Sequence, residues 1–590
     1  MEKVYDFLNE KKVEIKRLRP IYIKQKDFEN GSFIISKSGH YKLSENIIFN
    51  PNPDYDFLPK PNDAKYNTLA YILGFFAVVV ISADDVYLDL NGFTISMSEA
   101  FALQQRFCAI IELADSPFLP NEGPGKFSNG IKCANNVIIR NGTLGLSSHH
   151  GIHGNMMTNV LLENLHIKDF EFVGIALNGG NTMFLNNIKI GSNRRNLPVL
   201  ATYSAARFNK LYCNVLFNKY SSLLTEEQIT TLKDLLGKLE KEMETTFNEV
   251  VWKQKVTSKL FGNESGLADG NVYGLVIKDK GFAVNDLVNE SQVVSEDKNR
   301  TNNIYLRKVH IHKLSFKVDE IVGISGIDGK GVQTDATGAV FQIDKVTNKD
   351  GKYIGNVLSD LQLYMNRLTN VKDKLGKFNI TDDLYEWSKS DQNIKSVIDK
   401  GCKYKCGGDS MFHFNKGIFG MRFDALNTLV LHKCFIHSIE NLGFLGNDVF
   451  AGHYEKCHDQ AKRNGYFGSD STGLSFSYCS NVNVSKTAIK KITSNNGNAC
   501  GYYVVYNSNV NVFDSIVKSI YAGIFAKDSC IGTNYYGNNV QFTNTLPNKM
   551  PKAMGAYVGK DSEIKFKHTV FEKLNSCEDP VKIYKSDLSN

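Results

Sequence analysis

The segment SSHHGIHGN, residues 147–155, sets His149, His150 and His153 within nine residues. Imidazole exchanges protons near neutral pH and is the commonest metal ligand. Two carboxylates follow, Asp169 and Glu171. A carboxylate beside a histidine is an acid/base pair suited to glycoside hydrolysis or to proton abstraction from a sugar ring. A second group is the Cys/His-rich stretch 402–458, with Cys402, Cys406, His413, His432, Cys434, His437, His453, Cys457 and His458. Zinc needs four such ligands to converge. Neither C-x2-C nor H-x3-H occurs there, so no metal or cofactor is expected. His432 and Cys434, two apart in an apolar run, are expected to face the same side of a strand. A third group is aromatic: Tyr502, Tyr503, Tyr535 and Tyr536 form adjacent pairs whose rings could stack on sugar faces. A structural role competes in every case. His149 and His150 beside Gly151 fit a solvated turn, and thiols and rings fit a core.

What positions these residues is a repeat. NNVIIRNGTL (135–144), TNVLLENLHI (158–167) and NTMFLNNIKI (181–190) place Val137, Val160 and Met183 at a spacing of 23. Further copies are NNIYLRKVHI (302–311), NTLVLHKCFI (427–436), SNVNVSKTAI (480–489), SNVNVFDSIV (508–517), NNVQFTNTL (538–546) and SEIKFKHTVF (562–571), and DDVYLDLNGFTI (84–95) fits the same frame. Glycine precedes the apolar anchor by nine residues at Gly151, Gly174, Gly420, Gly473, Gly501 and Gly555. Asparagine stands just before the anchor at Asn136, Asn159, Asn303, Asn481, Asn509 and Asn539. It tolerates left-handed backbone, and its amides can stack into a ladder. One unit of two or three short strands cannot bury its own apolar face, so the units must stack. The period then puts Val173 beside His150, Ala176 beside His153, and Glu171 beside Ser148.

The stretches GSFIISKSGHYKLSENIIF (31–49) and VVVISADDVYLDLNGFTI (78–95) resemble the opening of right-handed β-helix proteins of the pectin lyase-like superfamily, a kind also found in large DNA viruses. The later copies resemble its central coils. The resemblance covers roughly 30–192 and 409–575, with a shorter piece near 301–345. It implies an all-β solenoid, a right-handed parallel β-helix. It carries over no catalytic residue. The N-T-D, G-H-G and R-I-K segments of polygalacturonases and the D-P-H-D of alginate epimerases are missing. RRNLPV (194–199) lacks the R-x-P-x-x-R spacing of pectate lyases, and Asp84-Asp85 reads as a turn.

Two stretches break the period. TEEQITTLKDLLGKLEKEMETTFNEVVW (225–252) and IGNVLSDLQLYMNRLTNVKDKLGKF (354–378) carry helical apolar spacing. The expected organisation is an N-terminal segment and cap (1–60), β-helix (61–192), helical insertion (193–300), β-helix (301–345), helical insertion (346–408), β-helix (409–575) and a tail (576–590). The net charge of +7 over 590 residues is a weak bias, and no dense Lys/Arg run interleaves with aromatics, so no nucleic acid is expected. The longest apolar run, 69–83, is too short for a membrane span. The first twenty residues lack a secretory signal, which points to the cytoplasm or a virion, and the eleven scattered cysteines to free thiols. The expectation is therefore a non-enzymatic scaffold or glycan-engaging protein, a viral surface or fibre component, with two kinds of partner: a polysaccharide or glycan, and another copy or other structural protein held through the helical insertions. The alternative is a carbohydrate-active enzyme using Glu171, Asp169 and His150 or His153.

Overall fold

The computed structural model describes residues 2–51, 77–98, 101–102, 108–115, 132–170, 172–191, 226, 230, 233, 272–279, 302–318, 418–444, 471–494, 499–505, 508–522, 529–530, 554–558 and 581–585. These build two large sheets of 15 and 12 strands, and every strand pair in both is parallel. The chain passes repeatedly from one sheet to the other. Asn135–Ser147, Thr158–Phe170 and Asn181–Gly191 lie side by side in the larger one. His150–Asn155 and Val173–Asn178 lie side by side in the smaller one. The period of 23 is the register: Val137 pairs with Val160, and Val160 with Met183.

The anchor columns form the core. Val137, Val160, Met183, Ile304, Leu429, Val482 and Val510 are buried one above another, as are Ile139, Leu162, Leu185, Leu306, Leu431 and Val484. Strands that repeat every 4.7–4.9 Å bring identical apolar positions into continuous contact, which no single unit could achieve.

Corners separate the straight segments, and they are columns of left-handed residues. Asn141, Asn164, Asn187, Lys308, Lys433, Lys486 and Asp514, each four residues after an anchor, all have φ between 46° and 60°. Leu146, Asp169, Lys313, Ser438, Lys491 and Ser519, nine after the anchor, form a second column. Just before the anchor stand Asp85, Asn136, Asn159 and Thr182, also left-handed. Asn159 donates its amide to Asn136 (2.8 Å), and Asn187 donates to Asn164 (2.8 Å). At Asn136 and Asn159 the expected asparagine ladder is thus a corner device, whereas Asn303, Asn481 and Asn509 are not left-handed. Asp84 and Asp85 start the ladder by accepting from Asn135 and Asn136 (both 2.9 Å).

The glycine column is a packing requirement. A Cβ on Gly174 would lie 2.5 Å from the carbonyl oxygen of Gly274 and 2.5 Å from Ile190 Cγ2. A Cβ on Gly274 would meet Gly420 O at 2.5 Å in the same way. Gly274 belongs to the strand Val272–Lys278, which pairs with Val173–Asn178 on one side and Ile418–Asp424 on the other. The stretch 193–300, expected as an insertion, therefore contains a full strand of the smaller sheet. Gly274 stands 30 residues before its anchor Ile304 rather than nine, which hid it. Val581–Lys585, in the expected tail, is likewise a strand, paired with Met554–Val558. Of the expected helix 225–252, only Glu226, Thr230 and Lys233 are described, and they are helical; 346–408 lies outside the described residues.

The stretch 1–60 is more than a cap. Its strands Ile21–Ile23, Phe33–Ile35, Gly39–Leu43 and Ile47–Phe49 already belong to the two sheets. Before them the helix Glu2–Lys16 lies across the outside of the larger sheet. Leu8 and Ile15 are buried against Tyr87, Ile138, Leu161, Phe184 and Tyr305, the outward residues one position after each anchor. Tyr5 packs on Phe184 (4.7 Å between ring centroids), and the Arg307 guanidinium sits over Tyr5 at 4.6 Å. Burying apolar outward residues in five consecutive strands needs a covering element, and this amphipathic helix supplies it.

Candidate functional site

The histidines of SSHHGIHGN stand on the outer side of the smaller sheet. The register places His150 beside Val173 and His153 beside Ala176, as the period requires. On its other side His153 pairs with Glu112, from the strand Ala109–Glu112. Glu112 Oε2 lies 2.7 Å from His153 Nδ1, and Asn178 Nδ2 lies 3.3 Å from Nε2. An amide N–H donating to Nε2 makes that nitrogen the acceptor, so Nδ1 carries the proton directed at Glu112. Asn178 is in turn held by donating to Asn155 (2.9 Å). Both members of the pair are buried, Glu112 at 2% exposure. Burial pushes the Glu112 carboxyl upward, and His153 opposes that shift.

Rings pile up on this pair. His150 stacks on His153 (4.8 Å, 16°), and His149 stacks on Phe172 (5.1 Å, 17°). Burial drives the His150 imidazole well below its ordinary value, and the neighbouring His149, His153 and Lys278 push the same way. Val173, Ala176, Tyr273 and Val276 continue outward as a buried apolar cluster.

The partner of His153 is thus Glu112. Asp169 is a left-handed corner residue (φ 53°). Glu171 lies outside the described residues, between Phe170, which pairs with Ser147, and Phe172. Glu112 escaped sequence reasoning because it stands 41 residues before His153. Its signal was a carboxylate inside the apolar run CAIIELA. The other buried carboxylate of this sheet among the described residues, Asp424, is four strands from Glu112 and ion-paired with Arg422 (2.9 Å). At ~4.8 Å per strand that separation is about 19 Å. Two-carboxylate glycosidases work at about 5–9.5 Å. The chemistry open to Glu112–His153 is proton transfer by an imidazole whose Nε2 lone pair is already taken by Asn178.

Tyr502 is in the core at 1% exposure, so its ring offers no face to a sugar; Tyr503 is half-buried, and Tyr535 and Tyr536 lie outside the described residues. His432 and Cys434 face opposite ways. The left-handed Lys433 turns a corner between them, so Cys434 enters the core while His432 stays outside against Ser485 (2.9 Å). The described cysteines 108, 133, 434, 479 and 500 are all free thiols, and burial pushes Cys434 and Cys479 up to about 12. Among the described residues, no three His, Cys, Asp or Glu form a group able to hold a metal ion. No helix among them is long and apolar enough to cross a membrane.

A second ring cluster occupies the larger sheet, on the segment between the two corner columns. Its outward positions form a grid. One column holds Thr143, His166, Lys189, His310, Phe435, Ala488 and Ile516. The next holds Gly145, Lys168, Gly191, His312, His437, Lys490 and Lys518. His310 lies 5.1 Å from His312 and 4.9 Å from His437, and His312 lies 6.2 Å from His166, two strands away. Gly191 permits that last approach: the His312 ring leans over it, with Cδ2 3.0 Å from where a Cβ would be. Lys490 caps Phe435 at 5.2 Å. The corners add Lys308, Lys433 and Lys486 on one edge and Lys313 and Lys491 on the other. These lysines come from separate stretches, around 189, 308–313, 433 and 486–491, and only the stacking of strands brings them onto one face.

All four imidazoles are held neutral. Burial is the main cause at each, and it takes His310 down to about 4 and His312 to about 3; Lys189 lowers all four. Nε2 of His166, His310 and His312 is buried with no hydrogen-bond partner among the described residues.

Compared with family models, curated proteins and solved structures, the chain matches none of them.

Proposed function

We propose that the protein is a right-handed parallel β-helix of the pectin lyase-like kind that acts as a non-enzymatic scaffold and engages glycans along its flank. The all-parallel ladders, with the chain passing repeatedly between two sheets and the anchors kept in register, support the β-helix reading. The observation that carries the functional reading is the seven-strand grid between the two corner columns of the larger sheet. It offers lysines and hydrogen-bonding imidazoles on neighbouring strands. A repeating polymer fits a surface that itself repeats. A place on the surface or fibre of a viral particle is the setting in which such a scaffold would work.

An enzymatic reading rests on the Glu112–His153 pair, which has the hydrogen bond an acid/base couple needs. Its burial and the occupation of Nε2 by Asn178 favour a structural role. The test is incubation with a panel of neutral and charged polysaccharides, following binding, new reducing ends and unsaturated products together. Binding without product supports the scaffold. Turnover that Glu112→Gln abolishes would replace it with the enzyme.

A further inference from the structure

The geometry points to an oxyanion site at His166, Lys189, His310 and His312, which takes the sulfate group of a sulfated glycan. This rests on the glycan reading above and names the class of glycan. Three imidazoles bring buried Nε2 atoms with no hydrogen-bond partner among the described residues, and His312, only 4% exposed, is the deepest. A buried polar nitrogen without a partner is costly, so each gains by meeting a hydrogen-bond acceptor. Lys189 stands between His166 and His310 in register, exposed, and adds a charge that an anion offsets.

Among the described residues no three His, Cys, Asp or Glu form a group able to hold a metal ion. A tetrahedral oxyanion instead offers oxygens that accept from donors on several sides at once. The charged groups around the cluster are Lys168 and Asp169 on the His166 strand, Lys313 on the His310 strand, and Lys490 and Lys491 two strands beyond. Asp169 is the one carboxylate among them, and its effect on His166 is the smallest of those acting there.

The rings also argue for a glycan over a nucleic acid. His310 and Phe435 stack across neighbouring strands (4.9 Å, 25°), Phe435 stacks on His437 (4.6 Å, 30°), and His310 and His437 are tilted at 4.9 Å. Their faces are spent on one another, whereas single-stranded nucleic acid is held by bases stacking on open ring faces.

The test is calorimetric titration of the full chain with sodium sulfate, a sulfated oligosaccharide, its desulfated form and a single-stranded oligonucleotide, at pH 6.5 and 7.5. The expected result is binding of sulfate and the sulfated sugar that is at least as tight at pH 6.5 as at 7.5, and about tenfold weaker in Lys189→Gln, an exposed change that leaves the core intact. His312→Gln in the folded protein should weaken it by a similar factor. Sulfate binding with no preference for the sulfated sugar supports the site but overturns the glycan reading. Equal binding of both sugars with no response to sulfate overturns the site and leaves that reading standing. Tighter binding of the oligonucleotide overturns the assigned ligand.

Discussion

Gly274→Ala probes the stacking most sharply. The added Cβ would sit 2.5 Å from the carbonyl oxygen of Gly420 and 2.6 Å from Ile311 Cγ2. Neither neighbour can retreat easily. The carbonyl is backbone in the strand Ile418–Asp424, fixed by pairing to Ser471–Ser477, and Ile311 is fully buried. Overpacking a rigid site costs about 1–3 kcal/mol, and a clash against backbone in two directions belongs at the upper end, near 3 kcal/mol. Urea unfolding followed by far-ultraviolet circular dichroism should show the midpoint falling by that loss divided by m, with m unchanged. The control is Gly92→Ala, where no atom lies within 4 Å of the new Cβ. There φ is +84°, and only backbone strain of about 1 kcal/mol is expected. A Gly274→Ala protein within 0.5 kcal/mol of wild type would refute the reasoning, because no strand could then be packed where Val272–Lys278 is placed.

Three further predictions follow from the packing. Leu8→Ala should cost about 2–5 kcal/mol of helix docking, since Leu8 is fully buried on Tyr87, Ile138, Leu161 and Phe184; increased binding of a hydrophobic dye reports it. Glu112→Leu should destabilise by about 1–3 kcal/mol by leaving His153 Nδ1 unpaired, whereas Glu112→Gln should lose less than about 1 kcal/mol; thermal melts of the two variants compare them. His310 and His312, folded values about 4 and about 3, take up protons later than in the unfolded chain, where the value is about 6.5. Stability must therefore rise with pH between about 3 and 6.5 and be lost as pH falls through that window. By pH 5 the two together lose about 2 kcal/mol after halving for solvent screening at the face, readable as a pH-dependent midpoint that His310→Gln flattens.

The stacking was legible in the chain because it is periodic. Val137, Val160 and Met183 gave the register directly, and so did the pairing of His150 with Val173. What broke the period was lost. The strand with Gly274 is separated from its anchor by an insertion, and Glu112 pairs across an offset of 41. Face assignments failed at corners. His432 and Cys434 would share a side in a straight strand, but a single left-handed residue inverts the alternation. The imidazole–lysine grid was invisible for a related reason: Lys189, His310, His437 and Lys490 become neighbours only through the ladder. The N-terminal helix was missed because its partners are alternate residues of five strands, each of which reads as ordinary β-sequence.

The most direct measurement is one titration of wild-type protein with a panel of polysaccharides, with product release followed in the same samples. Binding of a glycan without reducing ends or unsaturated product, weakened by Lys189→Gln and untouched by Glu112→Gln, is the result predicted here. Turnover lost with Glu112→Gln, or no glycan bound at all, would contradict it.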